Sequence, residues 1–324
     1  MEKNIFLAAD IGGTTVKLAV IKGNGEIVKK WEIHTDRENG GKGIPEDIHR
    51  AFEAALEELH IDKKQVAGIG AGAPGFVDPN SGFIHEAVNI GWKNYDFGAK
   101  LSELTGFSVW VDNDANLAAL GEKWLGAGEG ARELIAVTLG TGVGGGIIAN
   151  GEILNGVNGT AGEIGHITVV PEGGAPCNCG KTGCLETLAS ATGIVRLAKE
   201  SIETIPASIL RNIPSDQLTA KDVFEAAQQG DEAAETVINK VTDLLGMTIA
   251  NLAIAINPEK IVIGGGVSQA GSQLLDPLKA AYKKYALRRT FAATSFDLAK
   301  LGNDAGVIGA AFLVKSESIK GGAD

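Results

Sequence analysis

The sequence predicts an α/β protein made of two related domains. Three observations lead there. The chain has 324 residues, about two domains of ordinary size. A strand–turn–strand unit near the N-terminus recurs in the middle of the chain: an apolar strand, a Gly/Thr turn, a second apolar strand, an Asn-Gly turn and then Glu-Ile. Such internal repeats decide architecture, because each copy must bury its own apolar face. Apolar strands also alternate with amphipathic helices, which is the pattern of layered α/β domains.

In order, Ile5 to Ala9 reads as a buried strand that ends at Asp10-Ile11-Gly12-Gly13-Thr14-Thr15. A second strand runs from Val16 to Ile21, and Lys22-Gly23-Asn24-Gly25 makes a turn into a third at Glu26 to Ile33. Ile44 to Leu59 is a helix, since Ile44, Ile48, Phe52, Ala55, Leu56 and Leu59 share one face and Pro45 suits its first turn. Strands follow at Val66 to Ala71, before Gly72-Ala73-Pro74-Gly75, and at Val109 to Val111, before Asp112-Asn113-Asp114; a helix begins near Leu117. Leu134 to Leu139 opens the second copy with Gly140-Thr141-Gly142. Asp231 to Ile256 is a long helix stopped by Asn257-Pro258, with Val237, Val241, Leu244, Leu245, Thr248 and Leu252 facing inward. A strand at Lys260 to Ile263 enters Gly264-Gly265-Gly266, the last helix spans Gly306 to Ser316, and 317–324 reads as a polar tail.

Composition excludes several classes. The chain is 44% hydrophobic and 21% charged, as an ordinary globular protein is. Its net charge is -11 with no basic stripe, which argues against a nucleic-acid partner. The start lacks a signal-peptide pattern, and no uninterrupted apolar run approaches the roughly 20 residues of a membrane span. A cytoplasmic protein without a membrane partner is therefore expected.

Three strands end in glycine-rich loops: Gly12-Gly13-Thr14, Gly140-Thr141-Gly142 and Gly264-Gly265-Gly266. Glycine lets backbone N–H groups converge on phosphate oxygens, and threonine adds a hydroxyl donor. Asp10 can hold Mg²⁺ through water. An acidic chain has to grip a polyphosphate with such local donors and a divalent cation. Singly, each loop is a weak signal that more often marks a tight turn; together they point to a nucleotide. Lys17 faces either phosphate or solvent.

All three cysteines lie within eight positions, at Cys177, Cys179 and Cys184, and His166 sits upstream. Three thiolates and an imidazole complete a tetrahedral zinc set with no open position, so the metal would be structural. The alternatives are one disulfide with a spare thiol, or buried core thiols; the odd count argues against the first. Such a knuckle also fixes Glu163 and Glu186, the carboxylates adjoining His166 and Cys184. Asp112-Asn113-Asp114 reads either as an N-cap or as the source of a general base.

Taken together, Asp10-Ile11-Gly12-Gly13-Thr14, the run from Leu139 to Gly146, Glu163-x-x-His166 and Cys-x-Cys-Gly-x-x-Gly-Cys-x-Glu at 177–186 resemble the ROK family of sugar kinases and repressors. The resemblance spans nearly the whole chain and is closest to bacterial glucose-phosphorylating members. It implies a two-domain, actin-like ATPase and sugar-kinase fold of duplicated ribonuclease H-like domains with a zinc knuckle. The active site would lie in the cleft. The first domain would be about 1–118, with a C-terminal helix at about 301–316 packing back onto it; the second would be 119–300. A repressor would carry a helix-turn-helix ahead of the first strand, and no room is expected for one.

The resemblance further implies that Asp114 is the general base for transfer from ATP, with Mg²⁺, to the 6-hydroxyl of D-glucose. Sugar ligands would be Gly75, Asn89, Asn113, Asp114, Glu163, His166 and Glu186. ATP would be held by Asp10, Gly12, Gly13, Thr14, Gly140, Thr141 and Gly142, with Gly264, Gly265 and Gly266 near adenosine. His166, Cys177, Cys179 and Cys184 would bind zinc, leaving the second ring nitrogen of His166 for a sugar hydroxyl. A homodimer is implied. Other hexoses (mannose, N-acetylmannosamine, N-acetylglucosamine, fructose), polyphosphate as donor and a non-catalytic sugar sensor remain as alternatives.

Overall fold

The computed structural model describes residues 3–320. In chain order, β1 (Ile5–Ile11), β2 (Thr15–Lys22) and β3 (Ile27–His34) precede α1 (Ile44–Glu58). Next come β4 (Val66–Ala73), β5 (Phe76–Asp78), β6 (Phe83–Ala87), β7 (Trp92–Tyr95), α2 (Phe97–Thr105), β8 (Val109–Asn113) and α3 (Asp114–Leu125). The second half holds β9 (Leu134–Leu139), β10 (Val143–Ala149), β11 (Glu152–Ile153), α4 (Glu186–Ala189), α5 (Ala191–Thr204), α6 (Ala220–Gln228) and α7 (Glu232–Ile256). It continues with β12 (Lys260–Gly264), α8 (Ser272–Tyr285), α9 (Arg288–Ala293) and β13 (Ser295–Leu298), and the chain closes with α10 (Ala305–Lys320).

Two compact units result. The first takes the described residues up to Gly130, Ile153–Ala161, and those from Leu301 onward; the second takes Ala131–Glu152 and Gly162–Lys300. The boundary expected at 118 falls inside α3. That helix stays whole in the first unit because it packs along α10. The approach is close enough that a methyl group at Gly309 of α10 would strike the Leu117 carbonyl of α3. The segment 153–161 also belongs to the first unit, against its assignment to the second.

Each unit has a five-stranded mixed sheet. The orders are β3-β2-β1-β4-β8 and β11-β10-β9-β12-β13. In both, the Gly/Thr turn joins an antiparallel pair, β1 with β2 and β9 with β10. In both, the first strand of that pair lies parallel to a later one, β4 or β12. Parallel pairing needs a crossover, and helical segments supply it. The repeat in the sequence is thus a repeat of sheet topology. A third, antiparallel sheet, β5-β6-β7, had no sequence signal.

Leu7, Ala9, Leu18, Val20, Ile48, Phe52 and Ile69 are buried in the core of the first unit. Each of the larger ones contributes roughly 1.5–3 kcal/mol by leaving water. In the second unit Ile135, Val137, Val237, Val241, Leu245, Leu274 and Tyr282 form the centre. Helix α7 is long and apolar enough to cross a membrane by length and composition, yet 56% of its apolar window is buried inside the protein. Leu244 and Leu252 pack at the edge of that core, half-buried.

Several ends differ from expectation. α3 starts at Asp114, three residues early, because Asn113 caps it: the Asn113 side chain accepts from the Ala115 N–H at 2.8 Å. α10 extends to Lys320, so 317–320 are helical; the remainder of the expected tail, 321–324, lies outside the described residues. His34, His60 and His85 are exposed, while His49 is half-buried with its Nδ1 enclosed and unpartnered among the described residues.

Candidate active site

In the first unit, Asp10 stands at the end of β1 opposite Lys17 of β2. Lys17 turns toward this carboxylate, Nζ lying 4.0 Å from Oδ2, and donates to the Asn303 carbonyl at 3.3 Å. Burial pushes the Asp10 carboxyl up, and Lys17 opposes the shift. The loop Gly12-Gly13-Thr14 follows. Its N–H at Gly12 bonds the Thr15 carbonyl at 2.9 Å, and Gly13 abuts the backbone of Asn89.

Sequence reading missed Thr35, which holds this loop at both ends. Its hydroxyl donates to the Gly12 carbonyl at 2.7 Å and its N–H donates to the Thr14 carbonyl at 2.9 Å. Thr35 is 1% exposed, so these bonds have no water competing for them. Replacing Thr35 by Val keeps the shape and deletes the hydroxyl. If the loop grips ATP, the expected result is a rise of about fivefold to tenfold in KM for ATP, equivalent to the 1–1.5 kcal/mol of one buried hydrogen bond. KM for sugar should stay put, and Thr35→Ser should restore the wild-type value. Steady-state kinetics on the three proteins check this.

The run 112–114 separates into three environments. Asp112 is buried at the end of β8. Asn113 caps α3 through Oδ1 and donates from Nδ2 to the Gly75 carbonyl at 2.9 Å. Each end of its amide is thus used once, leaving one N–H and one lone pair for a ligand. Asp114 occupies the first helical position and is exposed; its Oδ1 accepts from the Ala115 N–H at 2.8 Å. A helix N-terminus favours a carboxylate. The N-cap and an exposed carboxylate therefore belong to neighbouring residues.

The second unit gathers Glu163, His166, Glu186 and the three cysteines. The ligand atoms of His166, Cys177, Cys179 and Cys184 all lie within 4.8 Å of one another. Cys177 Sγ is 3.6 Å from His166 Nδ1, and Cys179 Sγ is 3.7 Å from Cys184 Sγ. A tetrahedral zinc with ordinary bond lengths requires edges of about 3.6 Å for S–N and about 3.8 Å for S–S. The donor set and its spacing fit that ion, and the 3.7 Å sulfur separation is far from a disulfide. Burial is the first cause pushing the Cys177 thiol up, to about 12. A ligated thiolate would need the charge of a metal.

Backbone bonds close the knuckle. The Cys177 N–H donates to the Lys181 carbonyl at 2.8 Å, and Val169 and Val170 donate to the Gly183 carbonyl. Lys181 Nζ reaches the His166 carbonyl at 2.7 Å. With Nδ1 toward the sulfurs, His166 turns Nε2 toward Glu163, 3.9 Å from Oε2. Burial pushes the Glu163 carboxyl up; His166 opposes this and Glu186 adds to it.

Glu186 joins this cluster to the second glycine loop. Its Oε2 accepts from the Val143 N–H at 3.0 Å, and its Oε1 lies 3.7 Å from Cys177 Sγ. A Cβ at Gly142 would run into that Oε2, so a side chain there would push the Glu186 carboxylate out of its present position. The start of α5 holds the same loop: the Ala191 N–H donates to the Gly140 carbonyl at 2.8 Å, and the Thr192 hydroxyl donates to the Thr141 carbonyl at 2.9 Å. Gly264 pairs with Thr138 on β9, and Gly265 packs on Leu139, next to the same turn. Glu163, His166, Glu186, the cysteines and two of the three glycine loops thus form one neighbourhood. Asp10, the first loop and Asn89 form another, and Gly75 with Asn113 a third.

A glycine-loop α/β protein with a Cys₃His cluster beside a carboxylate pair defines a class. A sequence profile of the ROK family matches residues 6–317, and the chain belongs to that family. It is 55% identical to a glucokinase of Halalkalibacterium halodurans over 98% of this chain and 97% of the relative. Among solved structures it is similar to a ROK family glucokinase from Streptomyces griseus in complex with glucose and AMPPNP. That similarity has 35% identity, coverage of 96% and 99% of the two chains and a TM-score of 0.76. A ROK hexokinase from Thermus thermophilus has 32% identity, covers 98% and 99%, and gives a TM-score of 0.83.

Proposed function

We propose that this chain transfers the terminal phosphoryl group of ATP to the 6-hydroxyl of D-glucose, the reaction of a glucokinase. The observation that carries the chemistry is the position of Glu186. One of its oxygens is bonded to the N–H that follows the Gly140–Gly142 loop, and the other faces the zinc-type cluster. Polar groups suited to hydroxyls are thereby built onto a loop suited to phosphate. Full-length similarity to glucokinases, one at 55% identity, supports glucose as the acceptor.

In this reading Asp114 accepts the proton of the attacking hydroxyl. Glu163, Glu186 and Nε2 of His166 orient the sugar, with Gly75, Asn89 and the remaining valences of Asn113 assisting. The Gly12-Gly13-Thr14 and Gly140-Thr141-Gly142 loops grip the phosphates through the N–H groups of Gly13 and Gly142 and the hydroxyls of Thr14 and Thr141, while the N–H groups of Gly12 and Gly140 close their own turns; Gly264, Gly265 and Gly266 lie near the adenosine. Asp10 would hold Mg²⁺ through water. Mg²⁺, when bound, supplies charge neutralisation at the phosphates. His166, Cys177, Cys179 and Cys184 would hold Zn²⁺, which supplies a rigid crosslink fixing the imidazole and Glu186. The protein acts in the cytoplasm as a homodimer.

The test is ADP release from purified protein with Mg²⁺-ATP across glucose, mannose, fructose, N-acetylmannosamine and N-acetylglucosamine, with polyphosphate as a second donor. A clear preference for glucose and ATP is expected. Preference for another sugar keeps the roles and replaces the substrate, and sugar binding without turnover would make the chain a sensor.

A further inference from the structure

One buried titratable group has no part in the chemistry above. Asp112 is 3% exposed, and its Oδ1 accepts twice, from the Asn113 N–H at 2.7 Å and from Asn116 Nδ2 at 2.8 Å. Asn116, 2% exposed, donates from the same Nδ2 to Asn155 Oδ1 at 3.2 Å. Both contacts of that nitrogen are to acceptors, so the amide orientation is fixed by its partners. Two buried oxygens remain without a donor: Asp112 Oδ2 and Asn116 Oδ1. Unsatisfied buried acceptors are rare and costly, and a pair of them on two hydrogen-bonded groups calls for one shared proton.

The surroundings offer no counter-charge. Asn113 and Asn116 come from its own strand and the following helix, and Asn155 from the 153–161 segment. The Asn155 amide also lies near the carboxyl and favours its charged form, against the larger effect of burial, but Oδ2 has no hydrogen-bond partner among the described residues. On the adjacent strand the register partner is Gly72, and beyond it in the same row stands Asp10. The charged neighbours are therefore Asp114 and Asp10, both carboxylates. Among the described residues no lysine, arginine or histidine acts on Asp112, and burial pushes its carboxyl up. An unpaired buried charge is costly, and a group so placed keeps its proton.

We propose that Asp112 is a neutral carboxylic acid in the folded protein, with its proton on Oδ2 donated to Asn116 Oδ1. It is a positioning residue. The acid–amide pair, extended through Asn155, ties the first turn of α3 to the 153–161 segment. It also leaves Asp114 without a second negative charge two residues away. The catalytic consequence rests on Asp114 being the base; the protonation state does not.

The experiment compares infrared spectra of the full-length protein carrying ¹³C-labelled aspartate at pH 7. The wild type minus Asp112→Asn difference should contain the C=O band of a protonated acid; loss of a carboxylate band instead would overturn the proposal. Asn116→Leu removes the acceptor of that proton together with the Nδ2 donor to Oδ1 and should shift that band to higher frequency, whereas an unmoved band would count against the pair. The melting temperature supplies a second readout. An acid whose pKa is raised by folding loses stability as pH rises above its unfolded value near 4. The Tm of Asp112→Asn relative to wild type should therefore climb between pH 4 and pH 8; a flat or falling difference would overturn the assignment. In turnover, Asp112→Leu should lose at least about tenfold in kcat and Asp112→Asn should recover most of it, since the amide reproduces the donor. Equal loss in both would contradict positioning by a neutral acid.

Discussion

Asp114→Asn is expected to lower kcat by about a thousandfold while glucose affinity changes by less than about threefold. General-base catalysis contributes roughly 10²–10⁴ in rate, and the amide cannot take the proton. The fold should not suffer, because Asn113, not Asp114, caps α3. Loss of a carboxylate at the first helical position costs only about 0.3–1 kcal/mol. Equilibrium glucose binding and steady-state turnover on the same preparation check both halves. Normal turnover at saturating sugar with weakened binding would make Asp114 a sugar ligand only, and the base would have to be found elsewhere.

If the Cys₃His cluster holds zinc, as proposed, loss of that ion is expected to have the second largest effect. Cys184→Ala, or chelation under native conditions, removes one corner of a Cys₃His set whose atoms lie within 4.8 Å of each other. Glucose affinity should fall by about 10–100-fold, the range for losing groups that orient a site. The melting temperature should drop by about 10 °C, equal to about 3 kcal/mol for a domain of this size. The effect should reach ATP more weakly. Glu186 begins α4 two residues after Cys184 and holds the Val143 N–H, so the Gly140–Gly142 loop loosens as well. Metal analysis, calorimetry with glucose and a melting curve check this. Unchanged glucose affinity in a metal-free protein would separate the knuckle from the sugar.

The sequence carried different parts of this account with different strength. The clustering of Cys177, Cys179 and Cys184 was legible because residues that could share a metal must be close in space and these are close in the chain as well. The two sheets were legible for a similar reason: a strand, a Gly/Thr turn and a strand repeat locally. Asp112-Asn113-Asp114 was ambiguous because capping and catalysis use the same side chains, and only the backbone shows that Asn113 does the capping. Had the helix been started at Asp114, the spacing of Asp112 and Asn116 would have pointed to their bond.

Thr35 could not be found from sequence. Its two bonds join residues more than 20 positions apart, and an isolated threonine after a strand carries no pattern. The boundary at 118 failed because helix packing, not composition, holds α3 to α10. The β5-β6-β7 sheet, α2, α4 to α6, α8 and α9 went unread, their strands short or their periodicity weak beside the glycine loops. The return of 153–161 to the first unit depends on contacts such as Asn116 with Asn155 that no local pattern records.

The measurement closest to the central claim is phosphorus and carbon NMR of the product formed from glucose and Mg²⁺-ATP by the metal-loaded protein. The account predicts glucose 6-phosphate with one ADP per ester, and almost none from Asp114→Asn. A phosphate on another hydroxyl, or ADP without a sugar ester, would contradict it.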